Sequence, residues 1–142
     1  MTADTEDTIA FLNLLLECER AGAKALRHFQ TLDPPPRLAA PLPALVGDEA
    51  RYCAGLTRHI TRLGGTPSRR TGEFLDTVRA AEGWPARLDL LVRGQRWVAK
   101  RVAERLPQCD DAELAEFLTE MHATHLVNVA AAQDIAAAIG GD

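Results

Sequence analysis

The segment LNLLLECERAGAKAL (residues 12–26) repeats apolar side chains at spacings of three and four, so Leu12, Leu15, Leu16, Ala23 and Leu26 share one helical face. Glu19 falls on that same face, seven residues after Leu12 and seven before Leu26. A lone carboxylate in a dry interior costs on the order of several kcal/mol unless it is paired, protonated or bound to a cation. The segment therefore predicts a core-facing helix whose apolar stripe is interrupted by one acid.

Working outward, the periodic run extends from about Thr8, the expected N-cap, to Gln30. TLDPPPRLAAPLP follows (residues 31–43) and reads as an extended loop because of its prolines. A second run, Leu45 to Leu63, carries Leu45, Glu49, Tyr52, Cys53, Leu56, Ile60 and Leu63 inward and stops at Gly64–Gly65–Thr66–Pro67. From Gly64 to Pro85 a long connection is expected, with a short helix around Glu73 to Ala81. A third run, Ala86 to Leu106, has the stripe Leu88, Leu91, Gln95, Val98, Val102 and Leu106. The fourth opens at Asp110 or Asp111 and ends at Gly140–Gly141. Its stripe is Leu114, Phe117, Leu118, Met121, His122, His125, Val129 and Ala132.

No segment alternates with period two, so the fold class read from the sequence is all-α. Four runs of about 20 residues, each ~30 Å long, imply a single-domain four-helix bundle over residues 1–142. The long connection crosses over between the second and third helices; the short loop before the fourth makes the last two antiparallel.

Composition narrows the function. With 142 residues the chain can bury a core without staples. A net charge of −4 argues against nucleic-acid binding, and the basic stretch Arg93 to Arg105 reads as a solvated, salt-bridged face. The N-terminus is acidic and lacks the basic flank of a signal peptide, and no apolar run reaches the ~18 residues of a membrane span. Cys18, Cys53 and Cys109 form no CxxC pair, which fits reduced thiols and a cytoplasmic location. Glu113, Glu116 and Glu120 read as a solvated face, and His28 and His59 as structural or exposed groups. No phosphate-binding loop or nucleophile elbow occurs.

Glu19, Glu49, Gln95, His122 and His125 each interrupt a stripe near the middle of its helix, so they can meet at one level of the bundle. A cation is the simplest partner for such a set.

LNLLLECERAGAKAL (12–26), DEARYCAGLTRHITRLGG (48–65) and EMHATHLVNVA (120–130) resemble the ferritin-like, rubrerythrin-type di-iron carboxylate proteins. That family takes one glutamate from each of two helices and an E-x-x-H pair from each of the other two. The resemblance implies that Glu19 is the first-helix glutamate, Glu49 the glutamate of the first pair and His125 the histidine of the second. Tyr52 stands in place of a histidine, and Gln95 and His122 in place of glutamates. Only two of four carboxylates remain, so the expected set is Glu19, Glu49, His122 and His125 around one Fe, Zn or Mn ion, with two ions as the alternative and Tyr52 and Gln95 supporting the ligands. Tyr52 is expected to hydrogen-bond a ligand, or else to pack its ring and tie its hydroxyl to a helix. Redox chemistry with oxygen or peroxide would follow, with electrons from another protein, and a homodimer is implied by the resemblance alone. The competing reading is a degenerate, metal-free bundle serving as an interaction module.

Overall fold

The computed structural model describes residues 2–140. Six α-helices occur in chain order: α1 Ala3–Gln30, α2 Pro36–Ala39, α3 Leu42–Arg62, α4 Phe74–Ala80, α5 Trp84–Arg105 and α6 Ala112–Gly140, with a 3-10 turn at Leu106–Gln108. The four long helices form the bundle. Among the described residues there is no strand, and no helix is long and apolar enough to cross a membrane.

Side-chain pairings fix the topology. Gly22 faces Glu49 and Gly65 faces Ile9, so α1 and α3 are antiparallel. Phe29 meets Trp84 edge-on at 5.5 Å between centroids while Arg105 reaches Asp7, so α1 and α5 are antiparallel too. Arg51–Glu120, Arg58–Glu113 and Arg62–Asp111 set α3 antiparallel to α6. These pairs lie near the surface and contribute at most about 1 kcal/mol each; their information is register. It follows that α3 and α5 run parallel, which requires a connection spanning the length of the bundle.

The connection over residues 63–83 is strapped along α1. Asn13 Nδ2 donates to Thr66 O at 3.1 Å, and Ser68 N donates to Asn13 Oδ1 at 2.7 Å. The Arg20 guanidinium donates to the carbonyls of Arg70 and Ser68 at 2.6 and 2.9 Å, and Lys24 Nζ donates to Thr71 Oγ1 at 3.1 Å. A polar stripe on α1, flanking its apolar one, thus satisfies backbone groups that the crossover cannot pair internally. Gly64 turns the chain out of α3 at φ 91°. A side chain at Gly65 would collide with Ile9, its Cβ only 2.6 Å from Cγ2.

Several boundaries differ from expectation. The N-cap of α1 is Thr2, whose hydroxyl accepts from Thr5 N at 3.1 Å; Thr8 lies inside the helix and donates to Asp4 O instead. Two polar turns precede the apolar stripe, which hid the start. The proline-rich segment is not wholly extended. It contains α2 and the first turn of α3, because Pro36 and Pro43 sit at initial helical positions that need no N–H donor. Pro85 opens α5 in the same way. At α6, Asp111 Oδ1 caps Leu114 N at 3.0 Å as expected. Of the expected Gly140–Gly141 stop, Gly141 lies outside the described residues.

The apolar interior is divided. One cluster packs Phe29, Leu42, Leu45, Leu88, Leu91 and Val129; the other packs Leu12, Leu15, Leu56, Val102, Leu118 and Met121. Between them lies a polar layer. Glu19, Glu49, Gln95 and His125 are respectively 1, 3, 7 and 2% exposed.

Candidate metal centre

Each group in the polar layer comes from a different long helix. Glu19 arises from α1, Glu49 from α3, Gln95 from α5 and His125 from α6. Ligand-type atoms of Glu19, Glu49 and His125 lie within 4.8 Å of one another.

Neighbouring groups already orient part of this layer. His125 Nδ1 donates to the carbonyl of Met121 at 2.8 Å, one turn back on α6. With the proton on Nδ1, Nε2 presents its lone pair to the layer, the tautomer of a metal-binding imidazole. His125 Nε2 and Glu19 Oε1 approach to 2.6 Å. Both atoms still lack an aligned hydrogen-bond partner, as do Glu19 Oε2, Glu49 Oε2 and Gln95 Oε1. An approach this short suits either a shared proton or two ligand atoms aimed at one cation. Gln95 Nε2 donates to Glu49 Oε1, fixing that carboxylate through one oxygen.

Electrostatics follows from the burial. Desolvation raises the Glu19 carboxyl above its ordinary range, and the neighbouring imidazole only partly opposes it. Desolvation pulls His125 downward, but Glu19 and the Met121 carbonyl outweigh it and hold the imidazole above its ordinary value. Two such groups, each retaining a proton more readily than in water, are in an environment that a dication would relieve. Burial pushes the Cys18 and Cys53 thiols up to about 11, so neither is a thiolate near neutrality.

Not every expected residue joins the layer. His122 is half-buried and is not among the converging groups. Met121, one turn before His125, takes the inward position, so His122 turns to the flank. Tyr52 is buried, but its hydroxyl donates to Thr124 Oγ1 at 2.6 Å and accepts from Arg51 at 3.1 Å rather than meeting a ligand. Its ring lies against His125, 5.7 Å between centroids, and holds the imidazole by packing. His59, expected to be structural or exposed, is fully buried between Arg58, Arg62 and the Phe117 ring. Glu113 and Glu120 lie on the surface, paired with arginines, as expected.

Gly22 was not among the expected site residues. A Cβ there would stand 3.2 Å from Glu49 Cδ and Oε2, so its missing side chain makes room for the carboxylate. The signal was a glycine inside a helix, three residues after Glu19, where alanine would favour the helix by about 0.5–1 kcal/mol. Beside the layer a cavity of about 410 Å³ is lined by all four polar residues and by side chains of α1, α4 and α5.

A family model described as "Domain of unknown function (DUF6306)" matches residues 6–134, nearly the whole chain. The chain belongs to the DUF6306 family. No curated protein matches it significantly. Among solved structures, a ferritin-like, diiron-carboxylate protein from Bacillus anthracis str. Ames is similar with a TM-score of 0.84 at 21% identity. The match covers 96% of this chain and 99% of the other. This member of DUF6306 therefore has the ferritin-like four-helix fold, with a buried Glu–Glu–His cluster at its centre.

Proposed function

We propose that the chain holds one divalent transition-metal ion through Glu19, Glu49 and His125, with Gln95 orienting Glu49 and the Tyr52 ring positioning His125. The observation that carries this reading is the convergence of three buried ligand-type groups whose free oxygens and Nε2 have no other aligned partner. Charge supports one ion. Two carboxylates balance one dication, whereas two ions in this dry layer would leave an excess positive charge. Two carboxylates and one imidazole suit Fe(II), Mn(II) or Zn(II), and the ferritin-like, diiron-carboxylate character of the similar structure favours iron. Iron bound there would supply redox chemistry with oxygen or peroxide.

The test is elemental analysis of protein purified without chelator, followed by Fe(II) and Zn(II) titration under anaerobic conditions. The expected result is saturation at one equivalent, with a rise in Tm. Less than about a tenth of an equivalent and no uptake on titration would reject the reading.

A second reading rests on the 2.6 Å approach of His125 to Glu19. A proton shared by that pair would neutralise the layer without metal, leaving the bundle as a structural or interaction module. In that case metal leaves the Tm of the wild type unchanged, while Glu19→Ala and His125→Ala still destabilise it.

A further inference from the structure

The polar layer has a second unmet requirement beside its lone pairs. Gln95 is 7% exposed, and its Nε2 is committed to Glu49. Its Oε1 is left without a donor. The groups across the layer do not supply one: Glu19 and Glu49 are acceptors when ionised, and the His125 N–H points to Met121 O. An unpaired buried carbonyl is a specific demand for an incoming O–H or N–H.

Gln95 lines the cavity of about 410 Å³, within the ~300–1,000 Å³ range of small-molecule sites. The walls above the polar floor include Phe74, Leu90, Leu91, Trp97 and Val98. Trp97 is 37% exposed and carries Arg101 over one face of its ring, 4.9 Å from the centroid. The walls are mainly apolar and partly aromatic, while the exposed side chains Glu73 and Arg93 also line the space. Gly94 shapes it: a Cβ there would lie 3.0 Å from the Phe74 ring, so the missing side chain lets α4 lay Phe74 against α5.

We infer that this cavity is a binding site for a small hydroxylated aromatic molecule of the phenol class, its hydroxyl donating to Gln95 Oε1 and its ring lying between Phe74, Leu91, Trp97 and Val98. A phenol brings one donor, which the Gln95 carbonyl lacks, and an apolar remainder that suits the walls. An aliphatic ammonium would also bring donors, but the carboxylates of Glu19 and Glu49 in the lining would draw its charge to themselves rather than to Gln95 Oε1. The inference extends the metal reading by naming the class of molecule the same site admits. The Gln95 acceptor exists with or without an ion.

The experiment titrates the full-length protein with phenol, and separately with toluene, followed by backbone amide NMR. It is run on protein loaded with Zn(II) and on protein treated with EDTA. Saturable shifts centred on Leu91, Gly94 and Val98 are expected with phenol, and toluene should bind about fivefold more weakly for want of the hydrogen bond. Trp97→Ala, at a partly exposed wall, should weaken both probes at least about threefold, and Gln95→Leu should remove the preference for phenol. Equal binding of phenol and toluene, or shifts that do not localise to this cavity, overturns the inference. Phenol preference in protein that takes up no metal sinks the metal reading and leaves this one standing. Uptake of one equivalent of metal without that preference does the reverse.

Discussion

Gly22 of α1 stands against the carboxylate of Glu49 on α3, and a methyl group in its place would sit 3.2 Å from both Cδ and Oε2. That is tight enough to displace the carboxylate by a few tenths of an ångström. Replacement by alanine sets a helix gain of about 0.5–1 kcal/mol against this crowding. Gly22→Ala is therefore expected to leave metal-free stability within about 1 kcal/mol of wild type. Metal affinity should fall about tenfold or more, the usual effect of disturbing a ligand's support. Urea unfolding of the metal-free protein and competition with a chromophoric chelator measure the two quantities. Unchanged affinity would remove Glu49 from the ligand set.

The two histidines of α6 separate the sequence expectation from the folded geometry. His125→Ala should abolish uptake of the single ion. His122→Ala, on the flank, should retain about one equivalent with affinity changed less than about threefold, as for a site away from such contacts. Elemental analysis of both variants checks this. Loss of metal in His122→Ala would show that α6 rotates on binding.

Arg20 tethers the crossover through two carbonyl oxygens, at Arg70 and Ser68. Charge-assisted bonds of this kind contribute about 1.5–3 kcal/mol where water is excluded, and less at this half-exposed site. Arg20→Ala should lower unfolding stability by about 1 kcal/mol and speed hydrogen exchange over residues 66–72. Exchange that rises equally across all four long helices would contradict a local tether.

His59 gives a pH dependence that needs no metal. Burial, then Arg58 and Arg62, hold its pKa below the ordinary 6.5, while Glu113 and Asp111 oppose them more weakly. The unfolded chain therefore takes up a proton near pH 6.5 that the folded chain accepts only at lower pH. The stability contribution is fully present above that value and is lost as pH falls from 6.5 toward the folded pKa. Urea midpoints from pH 7.5 to 5 should fall more steeply for wild type than for His59→Gln. Parallel slopes would show that the ring is not held neutral.

Much of this was legible because helical periodicity is a strong signal. Glu19, Glu49, Gln95 and His125 could be placed on inward stripes by counting threes and fours, and all four are buried in one layer. Counting failed where one residue of rotation matters. His122 and Met121 are neighbours 100° apart on a helix, and only tertiary packing selects which of them points inward. Tyr52 was legible as buried, but the destination of its hydroxyl depended on Thr124, seventy-two positions away. The proline-rich segment misled because proline forbids helix interiors while suiting their first turns. The partners of Asn13, Arg20 and Lys24 lie about fifty positions away, and nothing local to α1 reveals that a distant connection will lie over it.

The division of the interior into two oily halves has a mechanical consequence. Joining them with apolar side chains at positions 19, 49, 95 and 125 is expected to strengthen the bundle by about 1–4 kcal/mol, as replacement of buried charged sets by well-packed hydrophobes often does. With the polar set in place, the mid-height layer is expected to be the weakest part of the interior. An ion bridging α1, α3 and α6 would act there as a rivet, making the two ends unfold together rather than in turn.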